Sequence, residues 1–263
     1  MVDKICEYVK TRELPPFAKS WASPLARTFE ALGNQKGCTG LDLGTGNGHL
    51  ALLAMKSTGA ARMFGIEIDP ARVEEANRNA QRAGMDMKAL AGDCFDGRDY
   101  PKEEVHFVLS IGTLHYKPRE FHADFLRGIR SYLRERERVF VCEMAGSGNL
   151  RKVEAALRVG LLALGSDVTL EWEYFHPTVF EYQTLLEEAG FRVQSISLEP
   201  RSAAVDANFL AKFLNKGIVG DKKATVLTRA QEYASSSGDD CMINDEGVWM
   251  ADFMRLTFKA LVL

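Results

Sequence analysis

The chain has 263 residues, of which 46% are apolar and 26% charged, with a formal net charge of −3 and a pI near 6.0. That length and apolar fraction suit one large α/β domain with room for a full core. The charge excludes a basic field that would gather nucleic acid or an anionic membrane. The longest basic run, Arg127 to Arg138, is interrupted by glutamates and reads as a solvated helix end rather than a nucleic-acid surface.

The five cysteines (Cys6, Cys38, Cys94, Cys142, Cys241) form no Cys-x-x-Cys pair, which argues against a disulfide framework and against structural zinc. The opening "MVDKICEYVKTREL" lacks the apolar core of a signal peptide, and no apolar run approaches the ~20 residues of a membrane span. A reducing, cytoplasmic setting is the expectation.

In chain order, Trp21, Leu25, Phe29 and Leu32 recur at helical spacing, and Gly33-Asn34 closes that helix. "TGLDL" is a short strand, His49 to Lys56 a helix, and "RMFGIEI" a second strand. Pro70 suits a helix's first turn, Val73, Ala76, Ala80 and Ala83 mark its buried stripe, and Gly84 ends it. "MKALAG" and "VHFVLSI" are strands three and four, the fourth apolar enough to be buried on both faces. Phe121, Phe125, Ile129 and Leu133 define a helix, and "RVFVCEM" is strand five. After it come an apolar helix (Asn149 to Leu164) and the aromatic stretch "EWEYFHP". A Thr178–Glu181 capping box opens a helix to Ala189, and the strand "FRVQSISL" follows. Residues 203 to 247 read as helices and loops. "MRLTFKALV" alternates as a final strand suited to slot antiparallel between existing strands.

The fold expected is therefore α/β: a Rossmann-like, seven-stranded, mostly parallel sheet with an antiparallel final strand, helices on both faces and a helical lid or insertion. One domain spans 1–263. Residues 1–36 form an N-terminal helical lid, and 37–145 the cofactor-binding core. Residues 146–176 and 200–249 form substrate-cap insertions, while 177–199 and 250–263 close the sheet. Ligands in such sheets bind beyond the carboxyl ends of the strands. Leu43–Gly48, Glu67–Asp69, Asp93–Phe95 and Ser110–His115 should face one cleft.

"LDLGTGNGHL" places Gly44, Gly46 and Gly48 as G-x-G-x-G. The third glycine of a dinucleotide fingerprint falls instead on His49. A glycine-permitted tight turn explains the loop equally well when it is taken alone. Twenty-three positions after Gly44, "GIEID" ends strand two with Glu67, a carboxylate suited to a ribose's vicinal hydroxyls. Asp69, beside Pro70, reads as a helix cap. In "AGDCF", Asp93 and the amides after it suit the amino edge of a purine, or simply a turn.

"LDLGTGNGHL", "GIEIDP", "GDCFDG" and "HFVLSIGTLHY" together resemble the ordered motifs of class I S-adenosylmethionine-dependent methyltransferases over residues 37 to 145. "EMAGSGN", "FHPTVFEY" and "WMADFMRLTF" are similar to segments of the trans-aconitate methyltransferase-like small-molecule group. The resemblance implies S-adenosyl-L-methionine as cofactor. It implies a binding set of Asp42, Gly44, Thr45, Gly46, Gly48, Glu67, Ile68, Asp93, Cys94, Phe95, Ser110, Ile111 and Gly112. His106-Phe107 where many members carry Phe-Asp, and the absence of Pro-Gly before strand five, mark a divergent member.

Methyl transfer from a sulfonium is an in-line displacement that needs alignment and dryness but no metal, and none is expected. His115 is the candidate base, with a packed loop histidine as the alternative. Candidate acceptor contacts are Trp21, Tyr116, Glu143, Trp172, Tyr174, Phe175 and Arg201. Each has an ordinary structural alternative: core packing for the aromatics, salt bridges for Glu143 and Arg201. Phe17 and Lys19 belong with Trp21 in the lid. The acceptor expected is a small molecule, with neither nucleic acid nor membrane as partner. The alternatives are a protein acceptor, a non-catalytic cofactor-binding partner subunit, and an NAD-dependent dehydrogenase, the last disfavoured by His49. The sequence does not speak to oligomeric state.

Overall fold

The computed structural model describes residues 22–165, 174–214, 218–236, 242–244 and 246–263, with side chains from Leu25 onward. Trp21, Trp172, Phe17, Lys19, Cys6 and Cys241 lie outside the described residues.

Helix α1 (Ala22–Leu32) leads into the first strand, β1 (Thr39–Leu43). Then follow α2 (His49–Thr58), β2 (Arg62–Glu67), α3 (Pro70–Ala83) and β3 (Met87–Ala91). Next come β4 (Phe107–Ile111), α4 (His122–Leu133) and β5 (Val139–Ala145). These five strands pair in parallel. The signals for α3 work as read: the Asp69 carboxylate accepts from the Ala71 N–H, Pro70 sits in the first turn, and Gly84 closes the helix at φ 61°.

The remaining elements are α5 (Arg151–Leu162), α6 (Val179–Glu188), β6 (Phe191–Val205), α7 (Ala207–Ala211), α8 (Gly220–Ser236) and β7 (Trp249–Val262). The sheet order is β3-β2-β1-β4-β5-β7-β6, with β7 antiparallel to both neighbours. The order reverses between β1 and β4, so the crevice opens where the glycine loop and the β4 turn meet. The Thr178–Glu181 capping box opens α6 as read.

Two apolar layers cover the sheet. One joins α4 and α6 to it through Phe125, Ile129, Tyr182 and Leu186. The other joins α1, α2 and α3 through Phe29, Leu52 and Ala76. This corrects one expectation: Ala22–Leu32 is no lid. Leu25, Phe29 and Leu32 are buried with Met63, Phe107 and Val141, so the helix is part of the core.

A second correction concerns β6 and β7. Their pairing runs from Phe191↔Val262 to Val205↔Trp249, whereas β5 stops pairing with β7 at Ala145↔Arg255. Residues 200–205 are therefore strand, not helical cap. The outer hairpin carries its own cluster, in which Leu157, Leu210, Val226 and Ala230 pack on Phe253 and Trp249. Two residues in the motifs similar to the small-molecule group bind this unit together. Asn149 Oδ1 accepts from the Met254 N–H, and the Asp252 carboxylate accepts from Lys152 and Val153 at the start of α5.

Candidate active site

After Leu43 the backbone turns through Gly44, Gly46 and Gly48 at φ 77°, 57° and 79°, a region that side chains other than glycine's rarely enter. The three glycines have different neighbours. A Cβ on Gly44 would lie 2.1 Å from Thr113 Oγ1, and one on Gly48 2.9 Å from Met87 Cε. A Cβ on Gly46 would meet nothing within 4 Å. Gly46 thus has open space beside its Cα. Its N–H donates to Glu67 Oε2 at 2.9 Å, and the Asp69 N–H donates to Glu67 Oε1 at 3.0 Å. A loop amide already turned toward a carboxylate is a poor phosphate cradle. It suits a cationic or neutral ligand with hydroxyls to donate.

Beside Gly44 and Glu67 lies a cleft of about 510 Å³, a volume ordinary for a small-ligand pocket. Gly44 and Glu67 stand at one part of it, Asp93, Cys94 and Phe95 at another, and Ile111, Gly112 and Tyr116 close it from β4. Ile68 leans in with 70% of its surface exposed. Ile66, Arg72, Thr113 and Lys117 complete the lining. Thr113 falls in the expected Ser110–His115 segment, whereas Ile66, Arg72 and Lys117 were missed, because a single residue within or beyond an element carries no signal of its own. The acid pair, the Gly44 backbone and the apolar Ile68 and Phe95 fit an uncharged nucleoside joined to a sulfonium. A larger cavity of about 720 Å³ lies at the amino ends of β4 and β5, where Arg138 is paired with Glu104 and Glu135.

Asp42, Thr45, Gly46, Gly48 and Ser110, assigned to the cofactor by resemblance, are not among the residues that line this cleft. Asp42 is buried in β1, and burial pushes its carboxyl up to about 7. Thr45 packs under β2, where a Cβ on Gly65 would lie 2.5 Å from its Cγ2. The Ser110 hydroxyl donates to the Leu43 carbonyl at 3.0 Å and ties β4 to β1. Asp42, Thr45 and Ser110 support the loop from behind. Burial pushes the Cys94 thiol up to about 12, so it stays neutral.

Toward the acceptor side, His115 and Tyr116 lie on a single 3-10 turn after β4. Their rings are 4.4 Å apart, and Tyr174 approaches both, at 6.0 and 5.2 Å. His176 stands 6.3 Å from His115. His115 is buried, and its Nδ1 accepts from the Ala145 N–H at 3.4 Å. A neutral ring that accepts at Nδ1 carries its proton at Nε2. Burial, then the Arg255 charge, hold its pKa well below the usual histidine value. The ring is therefore a hydrogen-bond donor and a weak base. Phe175 turns away from this group and packs edge-on against His122, 4.8 Å between centroids, and against Tyr182. It belongs to the core.

Glu143 and Arg201 meet each other. Arg201 Nη1 donates to Glu143 Oε2 at 2.7 Å, while Arg255 Nε donates to Oε1 at 3.1 Å. Arg255, unremarked in the sequence, was legible only as the arginine of an alternating strand. A Cβ on Gly112 would lie 4.0 Å from Arg255 Nη2, so this charged group adjoins the cleft.

The family described as "Methyltransferase domain" matches residues 34–190. Ribosomal protein L11 methyltransferase of Burkholderia mallei is 50% identical over 64 residues, 24% of this chain and 21% of that protein. The match thus spans about a fifth of that relative's length. The YcgJ protein of Bacillus subtilis superposes at TM-score 0.63 with 14% identity, over 91% of this chain and 98% of that one. Geranyl diphosphate C-methyltransferase of Streptomyces coelicolor A3(2) does so at 0.56 with 13% identity, over 92% and 76%. At such identities the superpositions speak for the fold. The chain belongs to the methyltransferase-domain family.

Proposed function

We propose that the chain transfers a methyl group to an oxygen, sulfur or nitrogen atom of a small-molecule acceptor. The observation that carries this reading is the set of rings beside Gly112. Tyr116 lines the donor cleft and joins His115 and Tyr174 in one aromatic wall. Such a wall suits a compact acceptor and excludes water. Bound in the cleft, the donor supplies an electrophilic methyl on its sulfonium. Glu67 would hold the ribose hydroxyls, and the Gly46 backbone would let the cofactor lie close. His115, protonated at Nε2, would orient the acceptor by donating to it.

The Glu143 cluster supports an acceptor that carries a negative group. Two guanidiniums share one carboxylate there. Arg201 Nε and His176 Nε2 are buried with no hydrogen-bond partner among the described residues. The resemblance to the trans-aconitate methyltransferase-like group supports the small-molecule reading. Two of its motif residues, Asn149 and Asp252, have structural work of their own, so they do not identify the acceptor. The short match to a ribosomal-protein methyltransferase supports a protein acceptor as the second reading. No described helix is long and apolar enough to cross a membrane, which accords with a cytoplasmic role.

The test is incubation of the chain with methyl-tritiated S-adenosylmethionine and a whole-cell extract, separated into small-molecule and protein fractions. Label in the small-molecule fraction is expected. Label confined to protein would overturn the proposal.

A further inference from the structure

Asp93 and Lys117 form a pair at the cleft's edge that is not an ordinary surface salt bridge. Asp93 Oδ1 accepts from the Phe95 N–H at 3.0 Å, and Oδ2 lies 2.7 Å from Lys117 Nζ. Both side chains are about one-third exposed (33% and 34%), and both line the cleft. The lysine's backbone is pinned from below. The buried His122 donates from Nε2 to the Lys117 carbonyl at 3.2 Å, and its Nδ1 lies 3.1 Å from the Tyr182 hydroxyl. The ammonium sits 5.8 and 5.6 Å from the Phe95 and Phe121 ring centroids. A charged head on so fixed a base is a presented group, not a mobile one.

The pair places an acceptor directly beside a donor, at the end of a slot with apolar Ile68 and Phe95 on its lining. A planar base that fits must carry a donor beside an acceptor. Adenine does, with its 6-amino group next to N1. A 6-oxopurine has the reverse, a carbonyl next to an N–H, and would set acceptor against acceptor and donor against donor.

We propose that Lys117 is a specificity residue for the methyl donor, donating to adenine N1 while Asp93 accepts from the 6-amino group. The proposal rests on the S-adenosylmethionine reading of the cleft and adds to it a residue on the β4 side. That residue sits two positions from His115, so base recognition and the acceptor wall share one turn.

Calorimetric titration of the full chain with S-adenosylhomocysteine and with S-inosylhomocysteine separates the possibilities. The second compound differs only in its oxo base. The wild type should prefer the adenosyl compound. Lys117→Met, checked for an unchanged Tm, should weaken the adenosyl compound about tenfold and the inosyl compound less than twofold, which narrows the preference. Lys117→Arg should retain most of it. Equal losses for both compounds would make Lys117 a general electrostatic contact and overturn the proposal, as would no loss for either. A wild type that binds neither compound would instead refute the donor reading on which the proposal stands.

Discussion

Gly44 and Gly46 share a positive φ, yet their surroundings differ, and the difference is measurable. Alanine at Gly44 must enter the left-handed region and also displace Thr113, so Gly44→Ala should lose roughly 2–4 kcal/mol of stability. Gly46→Ala bears only the backbone cost, about 1 kcal/mol. Its methyl group would stand in open space beside Glu67 and, where the donor lies against this backbone as proposed, should weaken S-adenosylhomocysteine binding at least about tenfold. Urea unfolding and calorimetry on both variants check this. Equal stability losses would show that the glycines are interchangeable. The spacing of the glycines announced a turn but not which one faces the ligand. Glu67 and Asp69 were separable, because a proline after an acid marks a cap. Ser110 and Thr45 were not. Whether a hydroxyl meets a ligand or a neighbouring strand's carbonyl depends on register, which a single strand's sequence does not carry.

Strands β5, β6 and β7 each contribute one member of the Arg201–Glu143–Arg255 cluster. Glu143 is fully buried, and the two arginine side chains are 10% and 4% exposed. Removing the carboxylate's charge takes away the acid that both guanidiniums share. Glu143→Gln should therefore cost roughly 3–5 kcal/mol in urea unfolding. Arg158→Gln, which removes an exposed pair with Glu154 on α5, should cost less than about 0.5 kcal/mol. A Glu143→Gln loss no larger than that control would show that the cluster does not hold the strands together. The five parallel strands were legible because each is a short apolar run between helical stripes. The outer half of the hairpin was not. "PRSAAV" has a proline and small residues where a strand usually advertises itself with bulky alternation. As an edge strand, β6 tolerates Pro200.

Across the whole molecule, buried ionisable groups set a stability optimum near neutral pH. Burial lowers His122 and His176 to about 4 and His115 well below its usual value. Between pH 6.5 and about 4 the unfolded chain binds protons at these rings and the folded chain does not, so stability falls as pH falls. Asp42 acts in the opposite sense. With its carboxyl raised to about 7, the folded state holds a proton that the unfolded state releases above about 4, so stability falls as pH rises toward 7. Three rings outweigh one carboxyl. Stability should drop by about 1–3 kcal/mol per pH unit from pH 6 to 5, with the part-exposed His176 contributing least. Thermal unfolding from pH 5 to 8 checks this, and a Tm flat from pH 6.5 to 5 would contradict it. The parallel strands, the antiparallel last strand and the general place of the cleft followed from the pattern of elements, while the strand order came only with the structure. His115, Tyr116 and Tyr174 were each named, but that their rings meet was not legible, because they stand on a turn after β4 and on a segment some sixty residues later.

The proposed function turns on the cleft beside Gly44 and Glu67 holding an uncharged nucleoside on a sulfonium and not a dinucleotide. Its most direct test is calorimetric titration of the wild type and Glu67→Ala with S-adenosylhomocysteine and with NAD. The account predicts one S-adenosylhomocysteine per chain for the wild type, at least about tenfold weaker binding for Glu67→Ala, and no heat from NAD. Binding of NAD, or equal S-adenosylhomocysteine affinity in the two proteins, would contradict it.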